Sequence, residues 1–189
     1  MGYFASAIVL LIQMALSAYI YVLMLRFLLQ KRGANYHNPV IQLIIRLTDC
    51  VVKPLKKLVP SFRGYDFAIV ILVLVLELIS VLLLQLFHIK SSSVLLSTTL
   101  LVIAEIGTKL VNIYFYAIIF QAIVSWMPNL YNNPASEILY LLCEPLLLRS
   151  RKMIPPVAGF DLSAIPVLIF LYVINMFVFG GIINACTNL

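Results

Sequence analysis

Charge is scarce in this 189-residue chain: Asp, Glu, Lys and Arg make up 11% of it, against about 25% in soluble domains. That shortage excludes the solvated surface of a soluble globular protein. Cysteine is scarce too. Cys50, Cys143 and Cys186 form no C-x-x-C pair, and an odd number leaves one thiol without an internal partner, so no disulfide framework is implied. Only His37 and His88 could offer imidazole ligands, and they fall at opposite ends of the apolar segments, too far apart to share a haem or a metal ion. No cofactor and no metal are therefore expected. Neither His-Glu-x-x-His, nor a phosphate loop, nor Gly-x-Ser-x-Gly occurs, which leaves hydrolase and nucleotide chemistry without residues to carry it. No catalytic residue is assigned, and the chain is expected not to be an enzyme. The N-terminal Met1-Gly-Tyr-Phe-Ala-Ser has no base ahead of its apolar run, so the n-region of a cleavable signal is missing and the run reads as a first span.

What is there instead is apolar: 63% of residues are hydrophobic and the mean hydropathy is +1.09. The apolar runs extend over about Tyr3 to Leu29, Phe67 to Phe87, Leu100 to Trp126 and Leu162 to Ile183. Each is long enough for a transmembrane helix of about 20 residues. The third is awkward, since a straight helix from Val94 to Trp126 would be about 50 Å long against a hydrocarbon core of about 30 Å. It must tilt, protrude or break, and Gly107 is the expected weak point.

The net charge of +6 and pI of about 9.3 would suit nucleic acid in a soluble chain. Here the bases serve orientation and contact with anionic headgroups, and no nucleic-acid partner is expected. Arg26, Lys31, Arg32, Arg46, Lys53, Lys56, Lys57 and Arg63 surround the first connector, Arg149, Arg151 and Lys152 the third, and only Lys90 marks the other side. The positive-inside rule then places both connectors in the cytoplasm, N-terminus and C-terminus out.

Shifted by 95 residues, the chain aligns with itself without a gap, and the matches fall in the connectors, where apolar composition would not create them. Asn38-Pro39 meets Asn133-Pro134, and Lys56-Lys57-Leu-Val-Pro60 meets Arg151-Lys152-Met-Ile-Pro155. Gly64-Tyr-Asp66 meets Gly159-Phe-Asp161. Two spans per half relate the halves by an axis along the membrane normal. The expected fold is an all-α membrane protein of four transmembrane helices in two tandem parallel repeats, residues 1–92 and 93–189. Each repeat carries a cytoplasmic amphipathic connector helix, at about 38–53 and 133–148. Asn-Pro supplies an N-cap followed by Pro at the first helical position. Behind it Gln42, Arg46, Asp49 and Lys53 form one polar stripe, whereas the second copy keeps only Glu137 and Glu144 and should sink deeper or pack on the bundle. Asp66 and Asp161 read as caps of the spans that follow, with an ion or partner contact as the alternative.

Three charges lie at membrane depth. Glu77 is about 15 Å into the second span and Lys109 about 15 Å into the third from its outer end, so both reach the midplane. Glu105 and Lys109 share a helix face four residues apart. A Glu77, Glu105, Lys109 cluster reads either as a structural ion pair that fixes register or as an ion or proton site. Its repeat counterparts, Tyr172, Leu10 and Met14, are uncharged, so the site is single.

The order Asn-Pro, polar-striped helix, basic pair before Val/Ile-Pro, then Gly-x-Asp opening a span resembles the YggT (YlmG) family, twice over nearly the whole chain. The resemblance implies a bacterial inner (plasma) membrane protein with no enzymatic reaction attached. Members are associated with osmotic tolerance, with cell division, and in plastids with haem attachment during cytochrome-complex assembly. The expectation is a scaffold or assembly factor whose partners are anionic lipids and a membrane protein yet to be named. The alternative is an ion transport or channel component, and the small size is compatible with homo-oligomerisation.

Overall fold

A computed structural model of the chain describes residues 3–59, 66–88, 95–127, 133–152 and 163–187, all helical apart from helix ends and turns. In order these are α1 (Tyr3–Lys31), α2 (Pro39–Leu58), α3 (Phe67–His88), α4 (Leu95–Trp126), α5 (Pro134–Arg151) and α6 (Ala164–Val173). A π-helical segment, Ile174–Phe179, then leads into α7 (Gly180–Thr187). Four stretches are long and apolar enough to cross a membrane: Ala7–Lys31, Phe67–Gln85, Ser97–Ser125 and Ala164–Cys186. Their outward faces stay apolar, with Leu11, Met14, Phe170 and Phe177 between 62% and 70% exposed. Such a surface belongs against lipid.

The packed core sits at the connector end. Ile20 and Leu23 of α1, Ile69 of α3, Ile118 of α4 and Leu142 and Leu147 of α5 are each exposed by no more than 1%. A smaller cluster of Val81, Leu101, Val102 and Cys186 closes the other end. Burial is deepest where α2 and α5 cover the spans, because only there does water drive apolar side chains together. α1 ends in a left-handed residue, Gly33 at φ 67°, with Ala34 N–H donating to Leu29 O at 3.1 Å. That is a Schellman cap, and it turns the chain towards Asn38-Pro39.

Both connector helices outrun their expected ends. α2 continues through Pro54 to Leu58 and α5 through Pro145 to Arg151. A proline costs one main-chain bond, but Leu55 in the first helix and Leu147 and Ser150 in the second still face the bundle beyond it. α5 is the more deeply packed of the two, against α4, α6 and α1.

Gly107 does not break the third span. α4 runs unbroken for 32 residues, about 48 Å, so it tilts or protrudes. Gly107 instead lets the Phe179 ring lie against the α4 backbone, where any Cβ would overlap ring carbons. Gly107→Ala should therefore lower the unfolding midpoint in detergent, by about 1–3 kcal/mol of overpacking. Gly181→Ala, where a Cβ meets nothing, should leave it unchanged or raise it. Equal effects would remove the close approach as the reason for glycine.

Candidate functional site

The packing of α3 on α4 brings the midplane charges together. Lys109 Nζ donates to Glu77 Oε1 at 2.8 Å and to Glu105 Oε2 at 3.0 Å. Glu77 is 1% exposed and Lys109 6%, while the Glu105 side chain is 31% exposed. The second Glu77 oxygen, Oε2, is buried with no hydrogen-bond partner. The cluster thus sets two carboxylates against one ammonium. Among the described residues no comparable packing joins α1 to α6 or α7, the elements equivalent to α4 and α3. Tyr172, Leu10 and Met14 accordingly lie 53–68% exposed. One helical turn along α4, Asn175 Nδ2 donates to Asn112 Oδ1 at 2.9 Å, and Asn112 Nδ2 to Tyr21 Oη at 3.4 Å. Asn175 belongs to the π-helical segment, so Asn112 of α4 joins this turn of the last span to Tyr21 of α1.

At the connector end the Asn-Pro pairs cap as expected. Asn38 Oδ1 accepts from Val40 N–H at 2.9 Å and Asn133 Oδ1 from Ala135 N–H at 3.1 Å, with Pro39 and Pro134 at the first helical positions. Asn38 also does something its spacing did not announce. Its amide donates to Pro134 O and to Glu137 Oε2, both at 2.8 Å, and joins the two repeats. Asn38 is 4% exposed, whereas Asn133 is exposed.

The polar stripe of α2 is anchored by Arg26, counted in the sequence only as a flanking base. Its guanidinium donates to Thr48 Oγ1 and, at 2.8 Å, to Asp49 Oδ1; Lys53 meets the other Asp49 oxygen at 2.9 Å. Burial by itself would push the Asp49 carboxyl up, but hydrogen bonds from Lys53 and Arg26 outweigh it and hold the group below its ordinary range. A carboxyl lowered on folding contributes stability above its unfolded value of about 3.9 and loses it as pH falls through the lower folded value. Acid should therefore release α2 before the spans unfold. Iodide quenching of a dye on the exposed Cys50 checks this, and Asp49→Asn should abolish the acid step.

In the second repeat Gln121 stands where Arg26 would, and Glu144 turns to Arg151 at 3.2 Å. The basic pairs split in both copies. Lys56 reaches Asp66 at 2.5 Å and Arg151 reaches Glu144, leaving Lys57 and Lys152 exposed. The Asp66 carboxylate is thus taken up by Lys56, while its carbonyl accepts from Ile69 N–H at 3.0 Å. Pro60, Gly64, Pro155, Gly159 and Asp161 lie outside the described residues.

Cavities follow the repeat. A groove of about 580 Å³ lies between the halves, lined by the repeat mates Tyr21 and Tyr116, Leu25 and Phe120, and Ile44 and Leu139. Two smaller cavities, about 230 and 460 Å³, lie under α2 and α5, where Arg26 and Lys56 of one correspond to Gln121 and Arg151 of the other. Among the described residues no group of three His, Cys, Asp or Glu side chains could hold a metal ion.

Comparison with known proteins agrees with this duplication. The CCB3/YggT family model matches residues 5–87 and again 100–182, the same 95-residue offset. The chain is 30% identical over 178 residues to the uncharacterised protein PA0392 of Pseudomonas aeruginosa, covering 94% of this chain and 90% of that one. It is 31% identical over 176 residues to an uncharacterised protein of Vibrio alginolyticus, covering 92% and 94%. To the uncharacterised protein YggT of Escherichia coli K12 it is 26% identical over 166 residues, covering 88% and 86%. No solved structure matches it.

Proposed function

The chain belongs to the CCB3/YggT family, and from that membership we propose a non-enzymatic scaffold of the bacterial inner membrane. Its connectors face the cytoplasm, both termini face out, and α2 grips anionic lipid while presenting a surface to a membrane-protein partner during complex assembly. The observation that carries this reading is the outer surface of α2. Leu43, Leu47, Val51 and Leu58 are exposed along one flank, and Arg46, Lys53 and Lys57 along the other. An exposed apolar flank beside a basic one suits the headgroup boundary. The Arg26–Asp49 pair fixes the helix so that these flanks, and not the Thr48–Val52 face, point away from the bundle.

Cys50 provides the test. It is exposed on α2, whereas Cys143 and Cys186 are buried and burial, together with Glu144, pushes the Cys143 thiol up to about 12. An environment-sensitive maleimide dye thus labels Cys50 in the full chain. In nanodiscs, anionic lipid should shift its emission to the blue relative to neutral lipid, less so in high salt and less so after Arg46→Gln with Lys57→Gln. Emission indifferent to lipid charge would defeat lipid gripping. Crosslinking from Lys57 and Lys152 in native membranes should give a discrete adduct with another protein. Potassium or proton flux across liposomes that Glu77→Gln abolishes would replace the scaffold by a transport component acting in osmotic adjustment.

A further inference from the structure

We infer that the Glu77–Lys109–Glu105 cluster is a binding site for one proton, taken up at the partly exposed Glu105 and held on the buried Glu77. Three observations carry this. The cluster counts two carboxylates and one ammonium, so with all three ionised it holds a net negative charge at membrane depth, where uncompensated charge is costly. Glu77 is 99% buried by its 1% exposure, and its Oε2 has no partner, so one oxygen of the carboxylate stands ready for a proton while the other is held by Lys109. Finally, Lys109 bridges the two acids at hydrogen-bond distance on both sides, 2.8 and 3.0 Å.

Among the described residues the surroundings offer no other charge to complete the balance. α4 supplies Glu105 and Lys109; α6, the π-helical segment and α7, which pack on α4, carry no Asp, Glu, Lys or Arg, and the charges of α5 lie at the connector end. α1, which also packs on α3, carries only Arg26 and Lys31, both in its last two turns, and α2 meets α3 through the Lys56–Asp66 pair at the connector end. The ionisable tyrosines of α1, Tyr19 and Tyr21, lie towards that same end, Tyr21 engaged with Asn112.

The transfer runs in two steps from the two hydrogen bonds in which Lys109 is the donor. Lys109 Nζ first passes a proton to Glu77 Oε1, and the resulting amine turns its lone pair to the Glu105 carboxylic acid and takes that proton. The products are a Glu105 carboxylate, an unchanged Lys109 ammonium and a Glu77 carboxylic acid, with no change of electron count. The buried acid, one oxygen held by the ammonium, is the resting place of the proton, and Glu105 is the acid with which it is exchanged.

Infrared difference spectroscopy of the full-length protein in nanodiscs tests this. At neutral pH one carboxylic-acid C=O band per chain is expected, shifted in heavy water and titrating away as pH rises. Glu105→Gln should abolish it, because Glu77 and Lys109 then balance one to one; Glu77→Gln should abolish it likewise, and Glu144→Gln at the connector end should keep it. Glu105 is partly exposed, so its variant gives the answer even if Glu77→Gln does not fold. Absence of the band at every pH at which the protein is folded, or its survival in Glu105→Gln, overturns the assignment and leaves a purely structural ion pair.

Discussion

Lys109→Met should lower the unfolding free energy by about 3–5 kcal/mol, the cost of leaving a buried charge without its partner. The loss is large because Lys109 answers two carboxylates at once, one of them exposed by only 1%. Adding Glu77→Met should restore most of it, since exchanging a buried pair for apolar side chains is often neutral or better. Lys53→Met, which removes a cation 73% exposed beside Asp49, should cost no more than about 1 kcal/mol. Titration with SDS from mixed micelles, followed by circular dichroism, ranks the three. If the cluster binds a proton as inferred, the Lys109→Met deficit shrinks in acid, where both carboxyls can be neutral. A deficit of the same size at every pH would mean that lost packing, and not stranded charge, is what the variant reports.

What could be read from the sequence was what depends on local pattern or on counting along one helix. Span length needs only composition, the Asn38 and Asn133 caps need only the residue type before a proline, and Glu77 and Lys109 meet because α3 and α4 form a hairpin in which depth follows residue number. The contacts that escaped depend on two elements meeting. Arg26 looked like one more flanking base until α2 folded back over it. Asp66 has the identity of a cap, but the Lys56 ammonium arriving from α2 is a stronger claimant on its carboxylate than a peptide N–H. Glycine marks either a break or a close approach; at Gly107 the Phe179 ring decided for the second. The π-helical turn in the last span contains neither Gly nor Pro, so no residue type advertised it.

Asn38→Ala should cost about 2–4 kcal/mol, from a lost cap of about 1 and a bond to an ionised acceptor of about 1.5–3. Asn133→Ala, the same substitution in the same motif, should cost about 1 kcal/mol or less. The difference arises because the repeat has diverged at one contact. Asn38 reaches across to Glu137 Oε2 and Pro134 O. The mirror-image bond would run from Asn133 to Gln42, but Gln42 Nε2 donates to Tyr36 O at 3.3 Å instead. A carboxylate at 137 attracts the facing amide more strongly than the neutral glutamine at 42 does, and Asn133 is left exposed with its cap alone. A double-mutant cycle separates the terms. Asn38→Ala should couple to Glu137→Gln by an energy comparable to the bond, while Asn133→Ala should add to it without coupling. Equal costs for the two asparagines, or no coupling in either cycle, would reduce both to helix caps. The halves would then be held at the connector end by the side chains lining the groove between them, with no polar lock across the pseudo-twofold axis.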